Sequence, residues 1–167
     1  MDNVLIEKAR KIKLLLTDCD GVLTDGGVYY SDMGEAMKKF NIRDGMGVER
    51  LRNLANVETG IITGEKSLSV MQRANKLKIK ELHLGIKDKP SILKVILKRK
   101  KLEADEVAYI GDDVNDIEIM KLAGLTACPA DAMFFNKNIA DYICENKGGE
   151  GAFREFAELI ISAISDL

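Results

Sequence analysis

Short apolar runs recur along the chain and alternate with amphipathic segments of helical period. The runs cover residues 14–16, 60–63, 82–84, 107–110 and 125–128. Their apolar residues are contiguous instead of alternating with polar ones, which is typical of strands that are buried on both faces. Strands separated by single helices predict an α/β fold in which one parallel sheet is doubly wound, with helices on both of its sides.

Five amphipathic segments and one insertion complete this outline. The predicted helices cover residues 47–55, 67–77, 90–100, 115–123 and 152–164. Directly after the first strand, residues 26–40 predict a β-hairpin flap with a turn at residues 31–34. The sequence shows no linker, repeat or low-complexity tract, so residues 1–167 are predicted to form a single domain without a separate cap domain.

The composition argues against several classes of partner. The formal net charge is -2, which gives no support to binding of nucleic acid or of an anionic membrane. The longest apolar runs are far shorter than a membrane span, and the first residues lack the apolar core of a signal peptide. Three cysteines without a Cys-x-x-Cys pair suit a reduced compartment. We therefore expect a cytoplasmic protein with no nucleic-acid and no membrane partner.

Polar side chains follow the predicted strands at the points where they end. They are Asp18 and Asp20 after the first strand, Thr63 at the end of the second, Lys89 after the third, and Asp112, Asp113 and Asp116 after the fourth. The carboxyl ends of parallel strands share one edge of the sheet, where ligands bind. Crowded carboxylates repel one another unless a cation lies among them, and oxygen ligands without a histidine or cysteine cluster favour Mg²⁺. The sequence thus predicts a magnesium site in which Lys89 and the Thr63 hydroxyl hold the oxygens of a phosphate group.

Taken singly, these residues also have structural interpretations. An Asp-x-Asp-Gly sequence after a strand can be a capped turn, and Thr63 can cap a helix. Lys87, which we expect to be an exposed charge in the same loop, is the alternative to Lys89 as the cation that binds phosphate. The convergence of four strand ends on one edge of the sheet favours the functional interpretation.

The order of these motifs resembles the haloacid dehalogenase superfamily of phosphohydrolases over essentially the whole chain. The resemblance rests on Asp18-Cys19-Asp20-Gly21-Val22-Leu23-Thr24, Thr63, Lys89 and Gly111-Asp112-Asp113-Val114-Asn115-Asp116. It implies a Rossmann-like fold and Asp18 as the nucleophile that forms an aspartyl phosphate. It also implies that Asp20 protonates the leaving oxygen and then deprotonates the attacking water. The magnesium ligands would be Asp18, the backbone carbonyl of Asp20 and Asp112, supported by Asp113 and Asp116.

Within this superfamily the chain is similar to the small, capless branch that dephosphorylates 3-deoxy-2-keto sugar acids. Residues 26–30, 40–45 and 147–155 carry this resemblance. It implies a homotetramer in which the flap and the C-terminal segment of a neighbour help to close each site. It also implies that the substrate pocket is lined by Asn41, Ile42, Arg43, Asp44 and Gly45. A helix entry capped by Asn41 or Asp44 is compatible with the same residues.

Two positions bear on the length of the sugar. Members of the branch that act on the eight-carbon 3-deoxy-D-manno-octulosonate (KDO) 8-phosphate tend to carry Arg after the Thr-Gly pair, whereas this chain has Glu65. Glu65 together with Lys76 resembles the members that act on the nine-carbon KDN 9-phosphate or N-acetylneuraminate 9-phosphate. Arg73 and Lys76 share one helix face, which we expect to hold a sugar carboxylate, either in its own site or in that of a neighbouring subunit. The predicted function is therefore hydrolysis of a nine-carbon acid 9-phosphate, with KDO 8-phosphate as the alternative.

Proteins of other classes combine some of these features. A receiver-like phospho-acceptor domain also forms an aspartyl phosphate on a doubly wound sheet, but its acceptor lies on a middle strand. A phosphomutase passes the phosphoryl group to a sugar and usually has a cap domain. The intact motifs argue against a non-catalytic oligomeric module. We further interpret Gly148, Gly149 and Gly151 as a flexible turn before the last helix, and His83 as a core or sheet-edge residue.

Overall fold

The computed structural model describes residues 3–165 of the chain. Within that range the strands are β1 (Leu14–Thr17), β2 (Tyr29–Ser31), β3 (Gly34–Met37), β4 (Glu58–Ile62), β5 (Glu81–His83), β6 (Val107–Ile110), β7 (Leu125–Cys128) and β8 (Tyr142–Ile143). The α-helices are α1 (Asn3–Arg10), α2 (Ile42–Arg50), α3 (Leu68–Leu77), α4 (Lys89–Lys100), α5 (Ile117–Met120), α6 (Phe134–Lys137) and α7 (Ala152–Ser165). None of the helices in this range is long and apolar enough to cross a membrane.

Six strands form one parallel sheet with β1 near its centre. Their order is β5-β4-β1-β6-β7-β8, and every neighbouring pair is parallel. Thr17, at the end of β1, lies opposite Ile61 of β4 and Ile110 of β6. The carboxyl ends of these three strands therefore meet at one edge, and the doubly wound α/β fold predicted from the sequence is confirmed.

The sheet is buried on both faces, which explains why the apolar runs do not alternate. On one face Leu15 belongs to a core that includes Phe153 and Phe156 of α7. On the other face Leu14 and Leu16 belong to a second core that also contains residues of α4 and α5. Successive side chains of β1 thus point into different cores, and each of them must be apolar.

The insertion after β1 forms the predicted β-hairpin flap. Its strands β2 and β3 pair antiparallel in a separate two-stranded sheet, with Ser31 opposite Gly34 at the turn. The side chains of Tyr30 and Met33 are 74% and 94% exposed. The flap therefore presents apolar groups outward instead of burying them against the rest of its own chain.

Several helical bounds differ from the prediction. Helix α2 begins at Ile42, five residues before the predicted start, because the Asn41 side chain caps it by accepting a hydrogen bond from the Arg43 amide at 2.8 Å. The predicted end of this helix, Leu51–Ala55, is a π-helical turn. The helix predicted over residues 115–123 is shorter, since a 3₁₀ turn at Val114–Asp116 precedes the four residues of α5.

Helices α2 and α7 are joined by a buried carboxylate. Asp44, in the first turn of α2, is 2% exposed, and its Oδ1 accepts a hydrogen bond from the Arg154 amide at 2.9 Å. Asp44 therefore caps the first turn of α7 from a different helix. Its Oδ2 is buried without a partner, and burial raises the pKa of Asp44 to about 6 despite the bond from Arg154.

We predict that Asp44→Ala lowers the free energy of unfolding by about 1–3 kcal/mol, because a cap and a buried hydrogen bond are lost. Asp44→Asn keeps an acceptor and removes the buried charge. Since the folded pKa of Asp44 is raised, its contribution to stability is present below its ordinary pKa and is lost as pH rises through about 6. The free energy of unfolding of Asp44→Asn, relative to that of the wild type, should therefore rise by on the order of 1 kcal/mol between about pH 5 and about pH 7.5.

Urea unfolding of both variants at the two pH values measures this difference. Glu49→Gln, an exposed position of the same helix, is the control and should leave the pH dependence unchanged. Equal destabilisation by Ala and Asn at both pH values would contradict the capping role of Asp44.

Candidate active site

The loop after β1 places Asp18 at the centre of the strand ends. The Asp18 amide donates to the carbonyl of Ile110 at 3.0 Å, which continues the ladder between β1 and β6. Asp18 is 4% exposed, and its Oδ1 accepts from the Cys19 amide at 2.7 Å. Gly21 has a φ of +84°, and a Cβ there would lie 2.0 Å from Oδ2 of Asp112. The glycine thus lets the acidic loop after β6 approach the loop that carries Asp18.

A buried ammonium group connects the two loops. Lys89, the first residue of α4, is 1% exposed, and its Nζ lies 3.0 Å from Oδ1 of Asp18 and 2.6 Å from Oδ1 of Asp116. It also donates to the Tyr109 hydroxyl at 3.2 Å, which in turn donates to Asp116 at 2.6 Å. Burial acts to lower the pKa of Lys89, but the two carboxylates outweigh it and raise the pKa, so the amine is a cation.

The three acidic residues after β6 have different surroundings. Oδ2 of Asp116 accepts from the backbone amides of Asp112 at 3.0 Å and Asp113 at 3.5 Å, so this buried residue shapes the loop. Asp113 is exposed, and its side chain caps the 3₁₀ turn by accepting from the Val114 amide at 2.6 Å. The Asp112 side chain faces the cleft, and its Oδ1 is buried without a hydrogen-bond partner.

The acidic cluster has the properties of a divalent-metal site. Asp18, Asp112 and Asp116 each offer an oxygen, and these atoms lie within 4.8 Å of one another. Burial and the neighbouring carboxylates raise the pKa of Asp112 to about 8, and burial together with Asp116 raises that of Asp18 to about 7. One lysine therefore does not balance the negative charge, and the unpartnered Oδ1 of Asp112 provides a free ligand atom. Hard oxygen donors of this kind fit Mg²⁺ or a similar divalent ion.

A cleft of about 210 Å³ opens above this cluster. Its lining residues come from the ends of β1, β4 and β6 and are Asp18, Asp20, Thr63, Gly64, Glu65, Asp112, Asp113 and Asn115. The Thr63 Oγ1 accepts from the Glu65 amide at 3.2 Å, which places the hydroxyl at the cleft. A larger groove of about 620 Å³ lies at the opposite ends of the strands, but its carboxylate, Glu58, is paired with Lys100 at 2.6 Å. Charge and chemistry, not volume, identify the smaller cleft as the site.

Most residues predicted to bind the sugar do not line this cleft. Of these residues only Glu65 lines it. The Arg73 guanidinium donates to the carbonyl of Asn41 at 2.7 Å and lies 5.6 Å from the centre of the Phe40 ring. Asp44 and Gly45 are buried in the packing of α2, whereas the side chains of Ile42, Arg43 and Lys76 are exposed. Within the described part of one chain, these residues serve the capping and packing of α2 and α3 or face outward.

Sequence reasoning did not find Lys38. This lysine follows β3 of the flap, and its Nζ lies 2.5 Å and 2.6 Å from the two carboxylate oxygens of Asp20. The lysine side chain is 1% exposed. The sequence contains only an indirect indication: the predicted hairpin directly follows the loop that carries Asp20, so the end of the hairpin can lie near that loop.

The glycine-rich segment before α7 is a turn, as predicted, and it also packs against the loop that carries Asp18. A Cβ at Gly148 would lie 1.9 Å from the carbonyl oxygen of Gly21, so only glycine permits this approach. The Gly149 amide donates to the carbonyl of Val22 at 2.9 Å. The segment therefore packs directly on the loop after β1 and restrains it.

Known proteins share both the sequence and the fold of this chain. Residues 83–155 match the family model of the haloacid dehalogenase-like hydrolases. The 3-deoxy-D-manno-octulosonate 8-phosphate phosphatase of Haemophilus influenzae is 37% identical over 94% of this chain and 87% of its own length. The crystal structure of the Yersinia pestis phosphatase of the same name has a TM-score of 0.96 at 38% identity, covering 100% of this chain and 90% of that one.

A third relative was solved with bound ligands. The Moraxella catarrhalis phosphatase, in complex with a magnesium ion, a phosphate ion and a KDO molecule, has a TM-score of 0.93 at 36% identity, with 98% and 93% of the two chains covered. The chain belongs to the haloacid dehalogenase superfamily, in the capless branch that contains the KDO 8-phosphate phosphatases. It is a phosphoric monoester hydrolase. The receiver-like and non-catalytic interpretations therefore have no support.

The predicted preference for a nine-carbon acid is wrong. Relatives that match nearly the whole chain are KDO 8-phosphate phosphatases, which favours the eight-carbon alternative. Within one chain, Arg73 is also engaged by Asn41 and Phe40, and Lys76 does not line the cleft. The helix face expected to hold a sugar carboxylate therefore offers no pair of cations to the cleft. Glu65 alone did not justify the assignment.

We predict that Mg²⁺ raises the melting temperature by roughly 5 °C and does so more at about pH 8 than at about pH 6. The folded pKa values of Asp18 and Asp112 are raised, so metal-free protein loses stability as pH rises through about 7 to 8. A bound cation offsets that loss, and at lower pH it must displace protons. Differential scanning fluorimetry with and without Mg²⁺ measures both shifts.

Asp112→Asn should raise the melting temperature of the metal-free protein and abolish the response to Mg²⁺. Asp105→Asn is the matched control, because Asp105 is exposed and pairs with Lys11 at 3.1 Å away from the cleft. A response to Mg²⁺ that survives in Asp112→Asn, or that is larger at the lower pH, would rule out this cluster as the metal site.

Proposed function

We propose that this chain is a magnesium-dependent KDO 8-phosphate phosphatase that works through an aspartyl phosphate. The observation that carries the proposal is the meeting of Asp18, Lys89 and the unpartnered Asp112 oxygen at the ends of adjacent strands. A carboxylate nucleophile, a fixed cation and a metal ligand are the groups that phosphoryl transfer requires. The relative that was solved with magnesium, phosphate and KDO supports the choice of ion and sugar.

The reaction has two steps, which are the formation of the aspartyl phosphate and its hydrolysis. In the first, Asp18 Oδ attacks phosphorus, the ester P–O bond breaks, and the leaving sugar oxygen takes the proton of Asp20. In the second, water attacks the aspartyl phosphate and gives its proton to Asp20, and inorganic phosphate leaves as the Asp18 carboxylate is restored. Asp20 thus ends each cycle protonated, as it began.

The remaining groups of the cleft compensate negative charge. The Asp18 and Asp112 carboxylates and the Asp20 backbone carbonyl would hold Mg²⁺, and Asp113 and Asp116 would support them. The ion supplies positive charge that attracts the phosphate oxygens and screens the approach of an anionic nucleophile. Lys89 adds a fixed charge 3.0 Å from Asp18, and the Thr63 hydroxyl donates to a phosphate oxygen.

Substrate recognition requires more than one chain. The cleft of about 210 Å³ is smaller than the roughly 300–1,000 Å³ of typical small-molecule sites. Apolar side chains of the flap and of the first turn of α2 are exposed, and they are Tyr29, Tyr30, Met33, Met37 and Ile42. We propose a homotetramer in which the flap of a neighbour covers the cleft and completes the sugar pocket. In that assembly the exposed side chains of Ile42 and Arg43 would face substrate from an adjoining subunit, while the buried Asp44 and Gly45 would support them.

With Mg²⁺ present, we predict a higher kcat/KM for KDO 8-phosphate than for N-acetylneuraminate 9-phosphate or 4-nitrophenyl phosphate. Asp18→Asn should lower kcat by at least about a thousandfold, because no nucleophile remains. Chelation of the metal should abolish turnover reversibly. Phosphate release, followed by a colorimetric assay, measures all three effects.

Asp25→Asn is the matched control, since Asp25 is a carboxylate of the same loop that pairs with Lys39 at 2.5 Å. It should retain most of the activity. Turnover that persists in Asp18→Asn would contradict the aspartyl-phosphate mechanism. Preference for the nine-carbon or the aryl substrate would contradict the assignment of KDO 8-phosphate and leave the mechanism in place.

A further inference from the structure

The base of the flap contacts Asp20, a residue of the cleft, through one buried side chain. Lys38 is the residue after β3, and its Nζ binds both oxygens of Asp20 at 2.5 Å and 2.6 Å. The Lys38 side chain is 1% exposed, whereas that of Asp20 is 26% exposed. The ammonium therefore approaches the carboxylate from the protein interior and leaves its outer side open to the cleft.

Lys38 is itself held by contacts that extend to the start of α3. The Glu35 carboxylate of β3 lies 3.6 Å from Lys38 Nζ and accepts a hydrogen bond from the Ser67 hydroxyl. Ser67 also caps α3 by accepting from the Val70 amide at 3.3 Å. A continuous series of polar contacts thus crosses from the start of α3, through the flap, to Asp20.

This series of contacts restricts the orientation of Asp20. Burial acts to lower the pKa of Lys38, but the hydrogen bond and charge of Asp20 outweigh it, so the lysine stays charged. The Thr24 hydroxyl adds one contact to Asp20, at 3.4 Å. Without Lys38 the carboxylate would be free to change rotamer within a half-open cleft. Proton transfer depends on a donor held within hydrogen-bond reach of the reacting oxygen.

We propose that Lys38 is a positioning residue that aims the Asp20 carboxyl group at the leaving oxygen of the substrate. The proposal rests on the acid–base role assigned to Asp20 in the proposed function. It gives the flap a part in proton transfer in addition to covering the cleft.

The test compares aryl phosphates whose leaving groups differ in acidity. Lys38→Met should lower kcat/KM about 10–100-fold with phenyl phosphate, whose poor leaving group needs a proton; this ratio reports formation of the aspartyl phosphate and not its later hydrolysis. With 2,4-dinitrophenyl phosphate the loss should stay below about threefold, since that leaving group departs unprotonated. Lys39→Met is the matched control, because Lys39 is exposed and pairs with Asp25 at 2.5 Å. It should leave both rates unchanged.

Two further measurements separate positioning from a general effect on structure. In an Asp20→Asn background, Lys38→Met should lower kcat/KM less than about threefold, since its function acts through Asp20. Lys38→Arg, which keeps a cation beside Asp20, should restore part of the rate with phenyl phosphate. If Lys38→Met does not fold, Glu35→Gln should show the same dependence on the leaving group at smaller size.

Equal losses across the aryl series, or a further large loss in the Asp20→Asn background, would overturn the proposal. If Asp20→Asn lowers kcat/KM equally with the good and the poor leaving group, Asp20 does not protonate the leaving group. That result would also overturn the proposal. Failure of the wild type to prefer KDO 8-phosphate would refute only the substrate assignment, because the aryl series does not use the sugar. The two proposals can therefore fail separately.

Discussion

A buried ammonium group organises the catalytic edge of this protein. Lys89 lies between Asp18, at the end of β1, and Asp116, after β6, and both carboxylates are themselves buried. A charge in such surroundings is stable only when it is paired, so each of the three groups depends on the others. Because Asp116 also binds the backbone amides of Asp112 and Asp113, the position of Asp112, the proposed metal ligand, follows from the same pairing.

The sheet could be predicted because its strands are buried on both faces. The bounds of β6 and β7 are those of the apolar runs over residues 107–110 and 125–128. Strand β8 has two residues, of which Ile143 is 47% exposed, so it leaves no such run. Helix α1 is rich in charge and has Ala9 as its fully buried residue, which also leaves little periodic signal. The elements that could be predicted are thus those with buried apolar residues, whatever their secondary-structure propensity.

The candidate site could be predicted where its residues follow strand ends and not where they come from distant segments. Asp18, Thr63 and Asp112 line the cleft because parallel strands end at a common edge. Lys38 binds Asp20 across an interval of 18 residues, and no local pattern marks that pairing. The prediction of the sugar length fails for a related reason. Helical spacing places Arg73 and Lys76 on one face, but it does not show that Arg73 donates to the carbonyl of Asn41.

The contact of Gly148 and Gly149 with the loop after β1 has a consequence for how the chain is made. Asp18, the proposed nucleophile, is translated long before the segment that precedes α7 and before β6, both of which contact its loop. A ribosome-bound chain that has not yet released residues 148 and 149 lacks this support. Catalytic competence is therefore expected to arise only after these residues have left the ribosome, when the distant parts first meet.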